Sequence, residues 1–376
     1  MFITFYTQKQ INQKHLNELF FNLLDDPTNT QINYQPPSTD WFKITKNIKN
    51  EYAENYYLNH TPKPIKEIIP PFNITEIKEH YYSFRIPKKT DPNKYRQIDA
   101  PDIPLKNYQT YIKSILEWHL KVLPHSAAHA YVKNNSTLTA LKNHQNNNSK
   151  WFLKLDLKDF FPSHNKEYVI KMLKEIYPFG TMFESEFKKI EHMLDYAFLN
   201  DQLPQGTPLS PMLTNLCMVP IDFMITERLK NFKKKSFIYT RYADDLLISC
   251  KYKFNPKDVI TAINKIFKHY QTPFRINKEK TRFGSSSGRN WNLGIMLNKD
   301  NNITIGHKKK QQFRAMLYDF INNYNQWPIE KVQKTLGLIA YYKMIEPDYI
   351  NYQINKYSKK YNIPIIEKMK LIIANN

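Results

Sequence analysis

One stretch of this chain leaves little freedom about how it folds. Phe237-Ile238-Tyr239-Thr240-Arg241-Tyr242 is followed by Ala243-Asp244-Asp245 and then by Leu246-Leu247-Ile248-Ser249-Cys250. Two short β-prone runs around a tight polar step read as a hairpin with two carboxylates at its tip. Adjacent aspartates raise each other's pKa unless a cation sits beside them. A divalent ion is the economical partner, and Mg²⁺ prefers oxygen ligands of this kind. A solvated Asp-Asp turn, which surface hairpins use freely, is the plain alternative.

A second segment offers a third carboxylate. In Trp151-Phe152-Leu153-Lys154-Leu155-Asp156-Leu157 the residues Trp151, Leu153, Leu155 and Leu157 alternate onto one strand face, so Lys154 and Asp156 project from the other. Beside the hairpin, Asp156 would let two Mg²⁺ sit about 4 Å apart, an arrangement that activates a 3′-hydroxyl and stabilises a leaving pyrophosphate. The chain has 2 cysteines, Cys217 and Cys250, too few for a disulfide framework or a four-ligand zinc site. They read as core thiols in a reducing compartment.

The surroundings are read more coarsely. Residues 1–70 suggest a helical layer, with Leu16, Leu19, Phe20 and Leu23 at helical spacing and Pro62, Pro64, Pro70 and Pro71 marking a connector. Segment 81–100 predicts two strands around a basic loop, and Leu105, Tyr108, Ile112, Ile115 and Leu116 stripe a helix. From Pro208 to Leu229 the spacing is helical again, with Pro220 expected to kink it. Beyond 307 the pattern is helical to the end and suggests a separate domain of three or four helices. No uncharged apolar run of about 18 residues occurs, which argues against a membrane span. With no secretory leader pattern either, a cytoplasmic protein is expected. The formal charge of +21 suits a polyanionic partner, nucleic acid first. An A/T-biased coding sequence would raise Lys and Asn as well, so charge names a partner and not a reaction.

Three blocks then stand in order: Trp151–Ser163 (WFLKLDLKDFFPS), Leu203–Leu216 (LPQGTPLSPMLTNL) and Tyr242–Ser249 (YADDLLIS). Together they resemble motifs A, B and C of the reverse transcriptases. Lys88–Pro101 (KKTDPNKYRQIDAP) resembles the fingers hairpin of that family, Asn277–Phe283 (NKEKTRF) its motif D, and Trp291–Leu297 (WNLGIML) its primer grip. The resemblance implies an α+β, right-hand polymerase fold, with fingers, a palm whose RRM-like antiparallel sheet carries the catalytic aspartates, and a helical thumb. It places an N-terminal extension at 1–70, fingers at 71–150, an interleaved palm at 151–300 and the thumb at 301–376.

Residue roles follow from the same resemblance. Asp156 and Asp244 are implied as the principal ligands of two Mg²⁺, which Mn²⁺ can replace, with Asp245 supporting them and Leu157 in the same ligand group. Lys280 is implied as the proton donor to pyrophosphate. Lys89 and Arg96 correspond to the pair that clamps the triphosphate, Arg by its fork and Lys as a point charge. Lys88 and Lys94 read as general phosphate attraction. Asp159 stands where backbone amides hold the triphosphate, and Gln205 and Gly206 where the incoming nucleotide is touched and approached closely. Phe161 matches the steric gate against a 2′-hydroxyl. Phe160 is grouped with the nucleotide residues, although strand alternation continued through Phe161 would turn its ring into the core. Tyr242, Leu293, Gly294 and the run Lys308, Lys309 and Lys310 are implied at the primer and template, the lysine run reading otherwise as a solvated helix face.

Within the family the motifs are most similar to the retron and group II enzymes of bacteria. Two retron marks differ: the Asn-Ala-x-x-His element is Thr139-Ala140-Leu141-Lys142-Asn143-His144 here, and Val-Thr-Gly is Asn292-Leu293-Gly294. The family assigns both marks to recognition of its RNA. The implied activity is RNA-directed DNA synthesis on a dedicated structured non-coding RNA, in anti-phage defence. Nascent DNA and dNTPs are the further partners, and a homo-oligomer or an associated effector protein stays open, with no membrane. Two alternatives remain: a template-independent or protein-primed polymerase, for which the 26 tyrosines supply hydroxyls, and a non-catalytic RNA-binding scaffold.

Overall fold

The computed structural model describes residues 76–375 except 89–90, 121, 123, 178, 233–235, 287–289, 293–294 and 299. The extension expected over 1–70 lies outside the described residues, as do Lys89, Leu293 and Gly294. From residue 76 on, a hairpin of β1 (Tyr81–Lys88) and β2 (Asp91–Pro101) precedes α1 (Ile103–Ser114) and α2 (Thr137–Asn146). Strand β3 (Trp151–Lys158) leads to α3 (Lys166–Lys174), α4 (Glu184–Leu194), α5 (Ser210–Cys217) and α6 (Val219–Lys230). A second hairpin, β4 (Phe237–Tyr242) and β5 (Asp245–Cys250), is followed by α7 (Pro256–His269), β6 (Arg275–Ile276) and β7 (Arg282–Ser285). Short strands β8 (Asn290–Asn292), β9 (Ile295–Leu297) and β10 (Ile303–Thr304) precede α8 (His307–Asn323), α9 (Ile329–Ile345), α10 (Pro347–Tyr361) and α11 (Ile365–Ala374).

The chain divides into two compact units that alternate along the sequence. Of the described residues, one comprises 76–131, 157–231 and 257–276. Its β1 and β2 pair in antiparallel register from Tyr81↔Pro101 to Ile86↔Arg96, the expected two strands around a loop. Asp102 caps α1 by accepting the Leu105 N–H at 3.0 Å, and α1 buries Leu105, Tyr108, Gln109 and Ile112. Pro220 does not kink one helix but separates two. It stands in the first turn of α6, where a missing N–H is harmless, and the break falls at Met218.

The other unit comprises 132–156, 232–256 and 277–376. Residues 151–156 of β3 pair with β5 from Trp151↔Cys250 to Asp156↔Asp245, β5 pairs with β4, and β7 pairs with the start of β3. The face of β3 that carries Lys154 and Asp156 also carries Phe152, which is fully buried. Phe152 and Leu247 join Leu141, Ile295, Leu297, Phe313, Phe320 and Ile339 in one hydrophobic cluster. The four C-terminal helices therefore share a core with the sheet and are not the separate domain that their sequence pattern suggested. A sheet with one apolar end must bury it against another layer, and these helices supply that layer.

Under the second hairpin lies a buried polar chain. His144 of α2 meets Ser249 Oγ at 2.5 Å through Nδ1 and Thr240 Oγ1 at 2.8 Å through Nε2, and Ser249 donates to Ser149 Oγ at 2.7 Å. His144 is 0% exposed, so this histidine braces the hairpin strands from within the core. Among the described residues no helix is long and apolar enough to cross a membrane.

Candidate active site

The hairpin tip is a two-residue turn of Ala243 and Asp244, closed by the pair Tyr242↔Asp245. Ala243 takes φ +56°, a left-handed conformation that disfavours a side chain by roughly 1–2 kcal/mol. Arg241, fully buried, holds this turn by donating to the Ala243 carbonyl at 3.2 Å. Asp244 thus stands in the turn, Asp245 opens β5, and Asp156 lies opposite Asp245 on β3. Sequence patterning and strand register together bring the three carboxylates to one end of one sheet.

Two lysines meet these acids. Lys154 Nζ donates to Asp245 Oδ2 at 2.7 Å, across the diagonal that β pairing makes a side-chain neighbour. Lys280 Nζ bridges Asp156, at 2.8 Å from Oδ1 and 3.1 Å from Oδ2. Asn277 adds its side-chain amide to Asp156 Oδ2 at 3.3 Å and its backbone N–H to the Asp156 carbonyl at 2.7 Å. Burial, then the Asp245 and Asp156 carboxylates, push Asp244 up to about 6. Burial also raises Asp245, against the lowering effect of Lys154. The hydrogen bond to Asp156 raises Lys280 above the usual lysine range. Lys154 and Asn277 were given no role from the sequence. The signal for Lys154 was there, since it shares one face of β3 with Asp156.

Among the described residues no three His, Cys, Asp or Glu side chains converge as a ready metal cage. Asp156 and Asp245 point at the lysines instead. The donor chemistry nonetheless fits a hard divalent ion: the oxygens are carboxylate, and burial, then the neighbouring Asp245 and Asp156 charges, hold Asp244 above the ordinary aspartate range. Leu157 is 2% exposed, so only its backbone carbonyl could face an ion.

Residues of the other unit build a second constellation. Strand β3 ends at Lys158, and Asp159 turns left-handed at φ +53°. Ser163 closes the turn, its N–H and Oγ donating to the Asp159 carbonyl at 2.9 and 2.6 Å. Alternation does not run through Phe161, as the sequence reading assumed; this turn parts the two rings. Phe160 is 4% exposed and packs edge-on against His164 and Phe274, so its ring belongs to the core and not to a nucleotide. Phe161 is half-buried, with Tyr131 edge-on at 6.3 Å. Gly206 has φ +116°, and the neighbouring Gln205 carbonyl accepts from the Asp99 N–H at 2.8 Å. The close approach at Gly206 is to β2: a Cβ there would lie 2.7 Å from Ile98 Cγ2. Arg96 is exposed on β2.

The lysine run at the start of α8 does not behave as one patch. Lys310 pairs with Glu346 and lies 4.3 Å over the Tyr349 ring, so it is committed within its own unit. Lys309 is half-buried, and desolvation lowers its pKa. Lys308 is exposed. Tyr242 is half-buried at the hairpin's closing pair.

The family model described as reverse transcriptase (RNA-dependent DNA polymerase) matches residues 86–320, from within β1 to within α8. The chain belongs to the reverse transcriptases. It is an RNA-directed DNA polymerase with the α+β polymerase fold of that family. Its similarity extends to the retron Ec73 reverse transcriptase of Escherichia coli, 30% identical over 280 residues, covering 72% of this chain and 87% of that one. The retron Mx65 reverse transcriptase of Myxococcus xanthus is 30% identical over 286 residues, covering 72% of this chain but 62% of its own. The retron Ec86 reverse transcriptase of Escherichia coli is 27% identical over 293 residues, covering 77% and 85%. Apo telomerase from Candida tropicalis superposes at TM-score 0.44 with 14% identity, over 88% of this chain and 67% of that one, too loosely to carry an argument. Every site residue named from Lys89 to Lys310 falls inside the family match, and reverse transcriptases as a family use divalent metal ions.

Proposed function

We propose that this reverse transcriptase copies a dedicated structured non-coding RNA into DNA, in anti-phage defence, with Asp156 and Asp244 as its principal metal ligands. The observation that carries the site reading is the meeting of Asp156, Asp244 and Asp245 at one sheet end, with Lys154 and Lys280 already on two of them. Similarity to retron enzymes along most of the chain supports the RNA reading.

Two Mg²⁺, held on Asp156, Asp244 and the Leu157 carbonyl, would polarise the attacking 3′-hydroxyl and neutralise charge on the leaving pyrophosphate. This chain's own groups do the rest. Asp245, tied by Lys154, supports the pair electrostatically. Lys280 is protonated, because its hydrogen bond to Asp156 favours the charged form, and so carries a proton for the leaving pyrophosphate. Phe161 excludes a 2′-hydroxyl by filling its space, Gln205 and Gly206 border the nucleotide through backbone held on β2, and Asp159 offers the amides of its turn. Arg96, with Lys89, clamps the triphosphate. Tyr242, Leu293, Gly294, Lys308 and Lys309 serve the primer and template.

Sequencing the nucleic acid that copurifies with the protein tests the template directly. One recurrent structured RNA with complementary DNA is expected for wild type, and the RNA without the DNA for Asp244→Asn. A heterogeneous RNA population would sink the dedicated-template reading. Asp156→Asn and Asp244→Asn should each abolish dNTP incorporation while leaving the thermal midpoint and RNA binding nearly unchanged. Retention of more than a few per cent of turnover would remove that residue from the ligand set. Labelling of the protein itself by a single dNTP without primer would instead indicate protein priming.

A further inference from the structure

We infer that His164 is a positioning residue that aims the Phe161 ring and so sets selectivity for deoxyribonucleotides. The inference rests on the proposed role of Phe161 as the steric gate. His164 is fully buried and its contacts converge on the turn that carries that ring. Its Nδ1 lies 2.5 Å from the Phe160 carbonyl. A carbonyl only accepts, so Nδ1 carries the hydrogen in this contact. The His164 backbone N–H donates to the Phe161 carbonyl at 3.1 Å, and its own carbonyl accepts from the Leu203 N–H at 3.2 Å. Leu203 opens the Leu-Pro-Gln-Gly stretch that reaches Gln205 and Gly206. One residue thereby ties the backbone on either side of the gate to the loop that borders the nucleotide.

Packing alone does not call for an imidazole here. The ring stacks on Phe274 at 5.3 Å with planes 27° apart and meets Phe160 edge-on at 5.0 Å, contacts that a phenyl ring would make equally well. A buried polar group is unfavourable unless its hydrogen bond is made, and this one is made to the residue directly before Phe161. The Phe161 ring itself is held edge-on by Phe160 at 5.7 Å and Tyr131 at 6.3 Å. Releasing the Phe160 carbonyl frees the turn to rotate while leaving those hydrophobic contacts available. A gate acts by overlap, so a small change in ring angle admits a hydroxyl that close packing otherwise rejects.

The test compares kcat/KM for dATP and ATP on an RNA template in wild type and four variants. His164→Phe keeps the stacking and removes the donor. Discrimination should fall about tenfold, the factor matching ~1.4 kcal/mol of lost ring alignment. His164→Asn returns an N–H near the Nδ1 position and should keep the wild-type ratio within about threefold, even if its thermal midpoint drops for want of the ring. Phe161→Ala should lose discrimination, and adding His164→Phe to it should change the ratio no further, because both act on one ring. A merely structural histidine would lower the midpoint and both rates together in the Phe variant and leave the ratio intact; that result overturns the inference. If Phe161→Ala leaves the ratio unchanged, the gate itself is wrong and the inference falls with it. If the Phe variant does not fold, His164→Gln, with its donor displaced from the Nδ1 position, reads the same ratio: wild-type discrimination there overturns the inference.

Discussion

Gly206→Ala is the perturbation whose size follows most directly from coordinates. The residue has φ +116°, where a side chain adds strain of roughly 1–3 kcal/mol. The new Cβ would stand 2.7 Å from Ile98 Cγ2 and 3.2 Å from the Asp99 carbonyl oxygen. The first neighbour can turn aside but the second is backbone, and overpacking of this kind costs about 1–3 kcal/mol. Stiffening of the unfolded chain returns about 0.4–1 kcal/mol. The net expectation is destabilisation of about 1–6 kcal/mol, centred near 3, read as a lower urea midpoint with unchanged slope. Relief comes from moving the loop off β2, which loosens the Gln205 carbonyl from the Asp99 N–H, so KM for dNTP should rise more than kcat falls. Gly337→Ala is the matched control. It sits inside α9 with nothing within 4 Å of its added Cβ, and should stabilise by about 0.5–1 kcal/mol. A Gly206→Ala protein within about 1 kcal/mol of wild type, with unchanged KM, would refute the docking of this loop on β2.

Phe160→Ala should destabilise by about 3–5 kcal/mol, as for a buried aromatic, and leave the dNTP/rNTP ratio intact; an altered ratio by steady-state incorporation would count against its core placement. Lys310→Ala should lower stability by about 1–2 kcal/mol in thermal unfolding, since its partner Glu346 is only half shielded, with little change in RNA affinity. Lys308→Glu should do the reverse. RNA affinity should fall steeply with salt, with a log–log slope near −5 for about six phosphate contacts, measured by filter binding; a flat response would leave the +21 charge without a nucleic-acid role. Chelation by EDTA should stop incorporation and Mg²⁺ or Mn²⁺ should restore it, while circular dichroism stays constant.

The hairpin, the helix α1 and the alternation of β3 were legible because each is a local pattern. Period two at 151–157, β-prone runs flanking Ala243-Asp244, and the apolar stripe from Leu105 to Ile112 all act over a few residues. Three further features were not legible for a shared reason. The core position of Phe160 was anticipated from strand alternation, but the route to it was not: Asp159 leaves the strand in a left-handed turn, a conformation that aspartate tolerates but does not announce. The C-terminal helices read as a separate domain because their own apolar stripes are complete; that Phe152 and Leu247 fill the same core appears only once the strands are paired. The Lys308–Lys310 run reads as uniform charge until Glu346 and Tyr349, on a distant part of the chain, claim one member.

By itself, the sequence determined the chemistry available: which carboxylates, lysines and rings exist, and which of them lie on one face of one strand or at one turn. Those are short-range facts, set by backbone periodicity. Tertiary structure alone decided the partners. It put Lys154 on Asp245 and Lys280 on Asp156, seated Gly206 against Ile98, buried His144 beneath the hairpin and fastened His164 to the turn before Phe161. Each of those contacts joins residues whose separation in sequence carries no periodic signal or whose meeting depends on strand register and turn handedness. Register and handedness are settled by burial of the whole core at once, which is why no local pattern could declare them.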